Sequence, residues 1–126
     1  MDQIPYCIPC RRELTSEERD LVRFILEREA PQRLYELETL KVVARCGCGQ
    51  CPTILFGTSP DTEPNTAHPF DEVATYYGRN HDGALVVVVL IDRDGRLSEL
   101  EAYSPEGVEI RSWPSIASLT NNTNDL

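Results

Sequence analysis

The feature that most constrains the fold is a run of eight apolar residues, ALVVVVLI, at positions 84–91. Four consecutive valines are stiff at χ1 and fit a pleated sheet better than a helix. The run is too short to cross a bilayer, and it lies between the turn-like sequences HDG and DRDG. A short apolar run between two turns predicts a strand that is buried on both faces. We therefore expect residues 84–91 to form the central strand of a sheet.

Turn-like clusters recur around this run at an even spacing. NHDG, DRDG and SPEG end in Gly83, Gly95 and Gly107, twelve residues apart. This spacing predicts an antiparallel meander. Its four expected strands are Glu72–Gly78, Ala84–Ile91, Arg96–Tyr103 and Val108–Arg111. In the third of them Ser98, Leu100 and Ala102 should share one face, and Glu99, Glu101 and Tyr103 the other. One face of the sheet should therefore carry the helices, and the acidic face should be partly open.

The N-terminal third is expected to be an arm followed by helix. Thr15 and Glu18 have the spacing of a capping box, which predicts a helix that starts at Thr15 or Ser16. Pro31 should end that helix near Ala30 and open a second short helix that extends to about residue 38.

Two strands are expected between the helices and the meander. Apolar and polar residues alternate over 40–46, which predicts a half-buried strand, and 53–56 should return beside it. Residues 57–70 contain three prolines without periodicity and should form a long surface loop.

These elements predict an α+β fold with one or two N-terminal helices packed on a mainly antiparallel sheet of about five or six strands that ends in a meander. The chain of 126 residues should be a single domain, with an arm at 1–14, helices at 15–38, the sheet at 40–114 and a frayed tail at 115–126.

Charge and cysteine content restrict the function. The formal net charge of −9 predicts that nucleic acid and anionic membranes are repelled and that a charged partner is a basic protein. The alternative is that the net charge only maintains solubility. The N-terminus does not resemble a signal peptide, so we expect a cytoplasmic location, where thiols stay reduced. Five cysteines, an odd number, also argue against a complete set of disulfides.

The cysteines form two C-x-x-C pairs, Cys7 with Cys10 and Cys48 with Cys51. Two such turns can supply four thiolates to one tetrahedral zinc ion, so these four residues are the candidate zinc ligands, with Cys46 as a spare ligand or a substitute for Cys48. The alternative is that the cysteines are small residues at a tight turn. A redox role is less favoured, because a lowered thiol pKa usually needs a helix N-terminus.

Acidic residues form the second group of candidates. Four flank the long loop and two lie on expected exposed strand positions: Asp61, Glu63, Asp71, Glu72, Glu99 and Glu101. Like charges on neighbouring strands reduce stability, so a basic partner that neutralises them would explain their presence. A solvated acidic face is the alternative. The sequence contains no phosphate-binding loop, H-E-x-x-H motif or nucleophile elbow, and we expect no enzymatic activity.

Three segments carry a resemblance to a family of small uncharacterised bacterial proteins. They are an L-T-x-E-E-R helix start at 14–19, a Cys-Gly-rich turn ending in Cys-Pro at 46–52, and a D-x-x-G-x-L-x-x-L-E-x-Y hairpin at 92–103. The resemblance implies a fold but no activity. In size, charge and fold class the chain also resembles the immunity proteins that accompany bacterial toxins.

Two functions follow as expectations. The first is a non-enzymatic immunity protein that neutralises a basic toxin domain, such as a nuclease, by direct binding. The second is a zinc-stabilised regulatory or adaptor module. In the first, carboxylates would cover the toxin's cationic cleft and speed association.

Overall fold

The computed structural model describes residues 4–126, and within them six strands form one antiparallel sheet. The strands are β1 Cys7–Glu13, β2 Lys41–Cys46, β3 Ile54–Gly57, β4 Asp71–Arg79, β5 Leu85–Arg93 and β6 Arg96–Tyr103; α1 is Ser16–Glu29, and 3₁₀ helices lie at Pro31–Glu38, Ile116–Ser118 and Thr123–Asp125. The spatial order is β1-β2-β3-β6-β5-β4. The predicted α+β fold is confirmed.

The central strand β5 is buried on both faces, as its sequence predicts. Val88 and Leu90 belong to the main core, where α1 packs on the sheet through Leu21, Val22, Ile25 and Leu26. Val87, Val89 and Ile91 point to the other face and form a second apolar cluster with Tyr77. Among residues 4–126, this second cluster consists of side chains from β4 and β5 alone.

The start of α1 is fixed by the capping box that the sequence predicts. The Thr15 hydroxyl accepts a hydrogen bond from the Glu18 amide, and the Glu18 carboxylate accepts one from the Thr15 amide. Both terminal nitrogens of Arg12 in β1 donate hydrogen bonds to the same Glu18 carboxylate, at 2.7 and 2.9 Å. This fork-shaped pairing connects the edge strand to the helix and is stronger than a single neutral hydrogen bond.

Three local predictions are wrong. The expected arm contains β1, which pairs with β2 along its length. Residues 108–111 form no strand, although Ile110 is buried in the core. The expected frayed tail docks on the sheet, because Thr120 and Tyr77 exchange two backbone hydrogen bonds of 2.8 Å. The tail therefore covers the outer edge of β4.

Two of the four irregularities in the ladders change which side chains share a face near the candidate residues. The register of β2 against β3 shifts at Val43, and Val42, Val43 and Ala44 are all buried instead of alternating. The register of β6 against β5 shifts at Ser98, so this side chain contacts Arg93, as Glu99 does, rather than the core. Bulges of this kind re-aim side chains locally.

The sheet consists of two three-stranded halves that meet at a short seam between β3 and β6. Only two residue pairs form this seam, Ile54 with Leu100 and Leu55 with Glu99. Thr53 extends it, since its hydroxyl accepts from the Ala102 amide at 2.9 Å. Residues 58–70 connect the halves and form the predicted long loop. None of the helices in residues 4–126 is both long and apolar enough to span a membrane.

Burial of β5 on both faces gives a stability test. Replacement of either Val87 or Val88 by Asp should lower the free energy of unfolding by about 3 kcal/mol or more, because each places an unpaired charge in an apolar cluster. Val108 is 49% exposed, so Val108→Asp is the matched control and should melt like the wild type. Urea and thermal unfolding followed by circular dichroism measure both effects. Wild-type melting of the Val87 or Val88 variant would contradict the assignment.

Candidate metal centre and adjoining groove

Three cysteines converge at the turn that joins β2 to β3. Cys46 ends β2, and Cys48 and Cys51 lie in the turn. Their three sulfur atoms lie within 4.8 Å of one another, which is close enough for one metal ion. The turn is closed by a hydrogen bond of 3.0 Å from the Gly49 amide to the Cys46 carbonyl, and Gly49 has a φ of +73°, which suits glycine.

The sulfur of Cys48 lies against two backbone donors. The amides of Cys51 and Gln50 approach it at 3.3 and 3.4 Å. These hydrogen bonds, that of Cys51 first, lower the pKa of the Cys48 thiol to about 7. Burial instead raises the pKa of Cys46 to about 12. An exposed thiol that ionises near neutral pH therefore lies beside a half-buried thiol that stays protonated in the absence of a metal.

The predicted four-cysteine set is not the set that the structure brings together. Cys48 and Cys51 join Cys46, and Cys7 and Cys10 lie outside this cluster. Both of the latter are in β1, and Cys10 packs against the main core beneath the sheet. A strand points residues three apart to opposite faces, so a C-x-x-C in a strand does not direct its sulfurs to one point.

A groove of about 280 Å³ adjoins the cysteine cluster on the face opposite the helices. One wall is the cysteine turn, through Cys46 and Cys51. The other is β6, through Glu101 and Tyr103, and Tyr6 lies in the same lining. The groove therefore combines thiols, the carboxylates of Glu99 and Glu101 and aromatic rings, and Tyr103 is 47% exposed at its edge.

Glu101 is half-buried in this groove, and its side chain makes no hydrogen bond or ion pair with any residue of 4–126. Burial, followed by repulsion from Glu99 and Glu72, raises the pKa of its carboxyl group. The charged form is therefore less stable in the folded protein than in the unfolded chain. At pH values above the raised pKa, the charge of Glu101 destabilises the fold.

Glu99 does not lie on an exposed face, contrary to the prediction. Its side chain is 2% exposed and pairs with Arg93, which is 1% exposed, at 2.9 Å. The Tyr6 hydroxyl donates to both Glu99 carboxylate oxygens at 2.8 and 3.0 Å, and burial raises the pKa of Tyr6 to about 12. Arg93 also donates to the Ala67 carbonyl at 2.9 Å, which connects the long loop to this pair.

The remaining acidic candidates do not form one patch. Glu63 lies 3.8 Å from Arg11 of β1, and Asp61 lies between two residues whose carbonyls accept from the same arginine. Asp71 and Glu72 are exposed in β4, at the opposite edge of the sheet. Only Glu72 of these four lies close enough to Glu101 to affect its pKa.

Comparison with protein-family models, curated proteins and solved structures found no match to this chain. The resemblances to a family of small bacterial proteins and to immunity proteins therefore stay predictions.

The arrangement suits a soft metal ion, because thiolate ligands favour zinc and similar metals. From the sequence, Cys46 is predicted as a spare ligand or a substitute for Cys48, and neither Arg93 nor Tyr6 is predicted. The C-x-C-x-x-C spacing at 46–51 was the available signal for Cys46, since a single tight turn brings all three sulfurs together. Nothing in the local sequence around Tyr6 indicates a contact with a residue 93 positions away.

The two thiol pKa values predict selective alkylation. In metal-free protein near pH 7, iodoacetamide should modify Cys48 much faster than Cys46, because about half of Cys48 is thiolate. Below pH 7 the Cys48 rate should fall about tenfold per pH unit. Peptide mass spectrometry over pH 5–9 measures both rates, and Cys48→Ser is the control. Equal rates at Cys46 and Cys48 would contradict the hydrogen-bonded thiolate.

Proposed function

We propose that this protein is a non-enzymatic protein-binding module in which zinc holds the Cys46–Cys51 turn as one wall of a groove that receives a basic side chain of a partner. The observation that carries the proposal is that three thiols within 4.8 Å of one another adjoin the groove that contains Glu101.

Zinc is the metal proposed, because thiolate-rich sites at tight turns typically hold structural zinc. Two backbone amides already donate to the Cys48 sulfur, and such outer contacts orient a metal ligand. Zinc would connect the end of β2 to the start of β3 and would keep Cys51 against the groove. Cytoplasmic thiols stay reduced and would remain available to the metal.

The proposed partner is a basic protein. Glu101 is half-buried without a partner among residues 4–126, and its charge is disfavoured by Glu72 and Glu99. A cationic side chain in the groove would neutralise it, and the overall charge of −9 would accelerate the encounter. The most specific form of this proposal is an immunity protein that covers the cationic cleft of a toxin domain such as a nuclease.

A zinc-stabilised regulatory or adaptor module is the second candidate. It uses the same cysteine turn, and the proximity of the three sulfurs favours it equally. The two candidates differ in the partner. An immunity protein would bind a toxin and abolish the toxin's activity, whereas an adaptor would bind a partner without abolishing an activity.

Metal analysis tests the zinc site. Protein purified without chelators should carry about one zinc per chain, and chelation should lower its melting temperature. Cys48→Ser should contain almost no zinc and should melt at the same temperature with and without chelator. Cys10→Ser removes a thiol that packs against the core and should keep the zinc. Wild-type protein without zinc would refute this part of the proposal.

Binding of an arginine-rich peptide tests the groove. Glu101→Gln should weaken binding by about fivefold at low salt, or about 1 kcal/mol, and added salt should weaken wild-type binding. The same change should raise the melting temperature above pH 7, because it removes a disfavoured charge. Glu27→Gln removes an equal charge from the exposed side of α1 and should change neither value. Equal binding by wild type and Glu101→Gln would exclude the groove.

A further inference from the structure

We infer that Cys7 is the fourth ligand of this metal site and closes it into a tetrahedral four-cysteine cage. The inference rests on the proposed zinc site and adds a ligand from a different strand. It makes the site structural and closed, because a tetrahedral zinc with four protein ligands has no position left for water or substrate.

The strand register places Cys7 directly opposite Cys46. The neighbouring Gly47 amide donates to the Tyr6 carbonyl at 3.0 Å. The Cys46 amide points away from β1 and donates to the Thr53 carbonyl. Cys7 and Cys46 are therefore a non-hydrogen-bonded pair of an antiparallel ladder. In such pairs the side chains share a face, and their Cβ atoms approach to about 4.5–5.5 Å.

The backbone before Cys7 is packed against the cysteine turn. A Cβ atom at Gly47 would overlap the carbonyl oxygen of Pro5, so glycine permits this approach. Cys7 is half-buried, like Cys46 and Cys51. Its sulfur lies outside the cluster of three, and rotation about χ1 moves a sulfur between staggered positions without moving the backbone.

The other candidates for the fourth position are less suitable. Cys10 contacts the core on the helix side of the sheet. Glu101 lines the groove beside Cys46 and Cys51, but a carboxylate is a harder ligand than a thiolate. With Cys7, all four cysteines bind as thiolates and those still protonated release their protons to solvent, and the ion would join β1 to the β2–β3 turn.

Cobalt substitution tests the ligand count in the full chain. The thiolate-to-cobalt charge-transfer absorbance of Co²⁺-loaded Cys7→Ser should fall by about a quarter relative to wild type, since one thiolate of four is lost. Even the loss of an outer-shell partner typically costs about 10–100-fold in metal affinity. Cys7→Ser removes a direct ligand and should therefore weaken zinc binding at least about tenfold. Cys10→Ser should match the wild type in both measurements. Identical values for Cys7→Ser and Cys10→Ser would overturn the inference.

Alkylation of wild-type protein gives a second test that does not depend on a variant folding. Zinc should protect Cys7, Cys46, Cys48 and Cys51 from N-ethylmaleimide and should leave the rate at Cys10 unchanged. Equal rates at Cys7 with and without zinc, alongside protection of the other three, would overturn the inference and leave the proposed three-cysteine site intact. Absence of protection at all four would refute the zinc site itself.

Discussion

A strand that is apolar on both faces requires cover on both sides of the sheet, and β5 imposes this requirement on the whole chain. On one face α1 and the following 3₁₀ helix provide the cover. On the other, the cluster of Val87, Val89 and Ile91 adjoins Arg93, which lies at the end of the same strand. Arg93 binds the carbonyl of Ala67, so the long loop is held at this face by a charged group of the strand itself.

A buried ion pair is costly to desolvate, and it persists only when its remaining polar atoms have partners. Arg93 meets this condition because it donates to Glu99, Ser98 and the Ala67 carbonyl of the loop. The Tyr6 hydroxyl donates a further hydrogen bond to the Glu99 carboxylate. Two residues further along β6, the side chain of Glu101 shares the same face but has no such partner among residues 4–126. Glu99 therefore has a structural role in the described part of the chain, and Glu101 is the carboxylate on which the proposed binding of a basic partner depends.

The parts of the fold that depend on local sequence could be predicted. The capping box at Thr15, the break at Pro31 between the two helices and the double-sided burial of Val87 and Val88 all follow from neighbouring residues. The predicted bounds of β6 agree with the structure. The corresponding hairpin turn has φ of 58° at Asp94 and 78° at Gly95, as a two-residue turn between strands requires.

The parts that depend on distant contacts could not be predicted. β1 contains Pro9 and two adjacent arginines, so its local sequence does not indicate a strand. It forms because β2 pairs with it. The bulge at Ser98 gives no local signal, so the alternation of β6 appeared to expose Glu99. Cys46 differs from these, because the C-x-C-x-x-C spacing is a local signal that one tight turn can bring its sulfur toward Cys48 and Cys51.

The short seam between β3 and β6 has a kinetic consequence. Each half of the sheet is contiguous in sequence, whereas the seam joins residues 54–55 to residues 99–100. Contacts between positions so far apart form slowly, because the entropy of closing the intervening chain is lost before the contact is gained. Docking of the two halves should therefore limit the folding rate. Lengthening of the 58–70 loop should slow folding only weakly, since the closure cost rises with the logarithm of loop length.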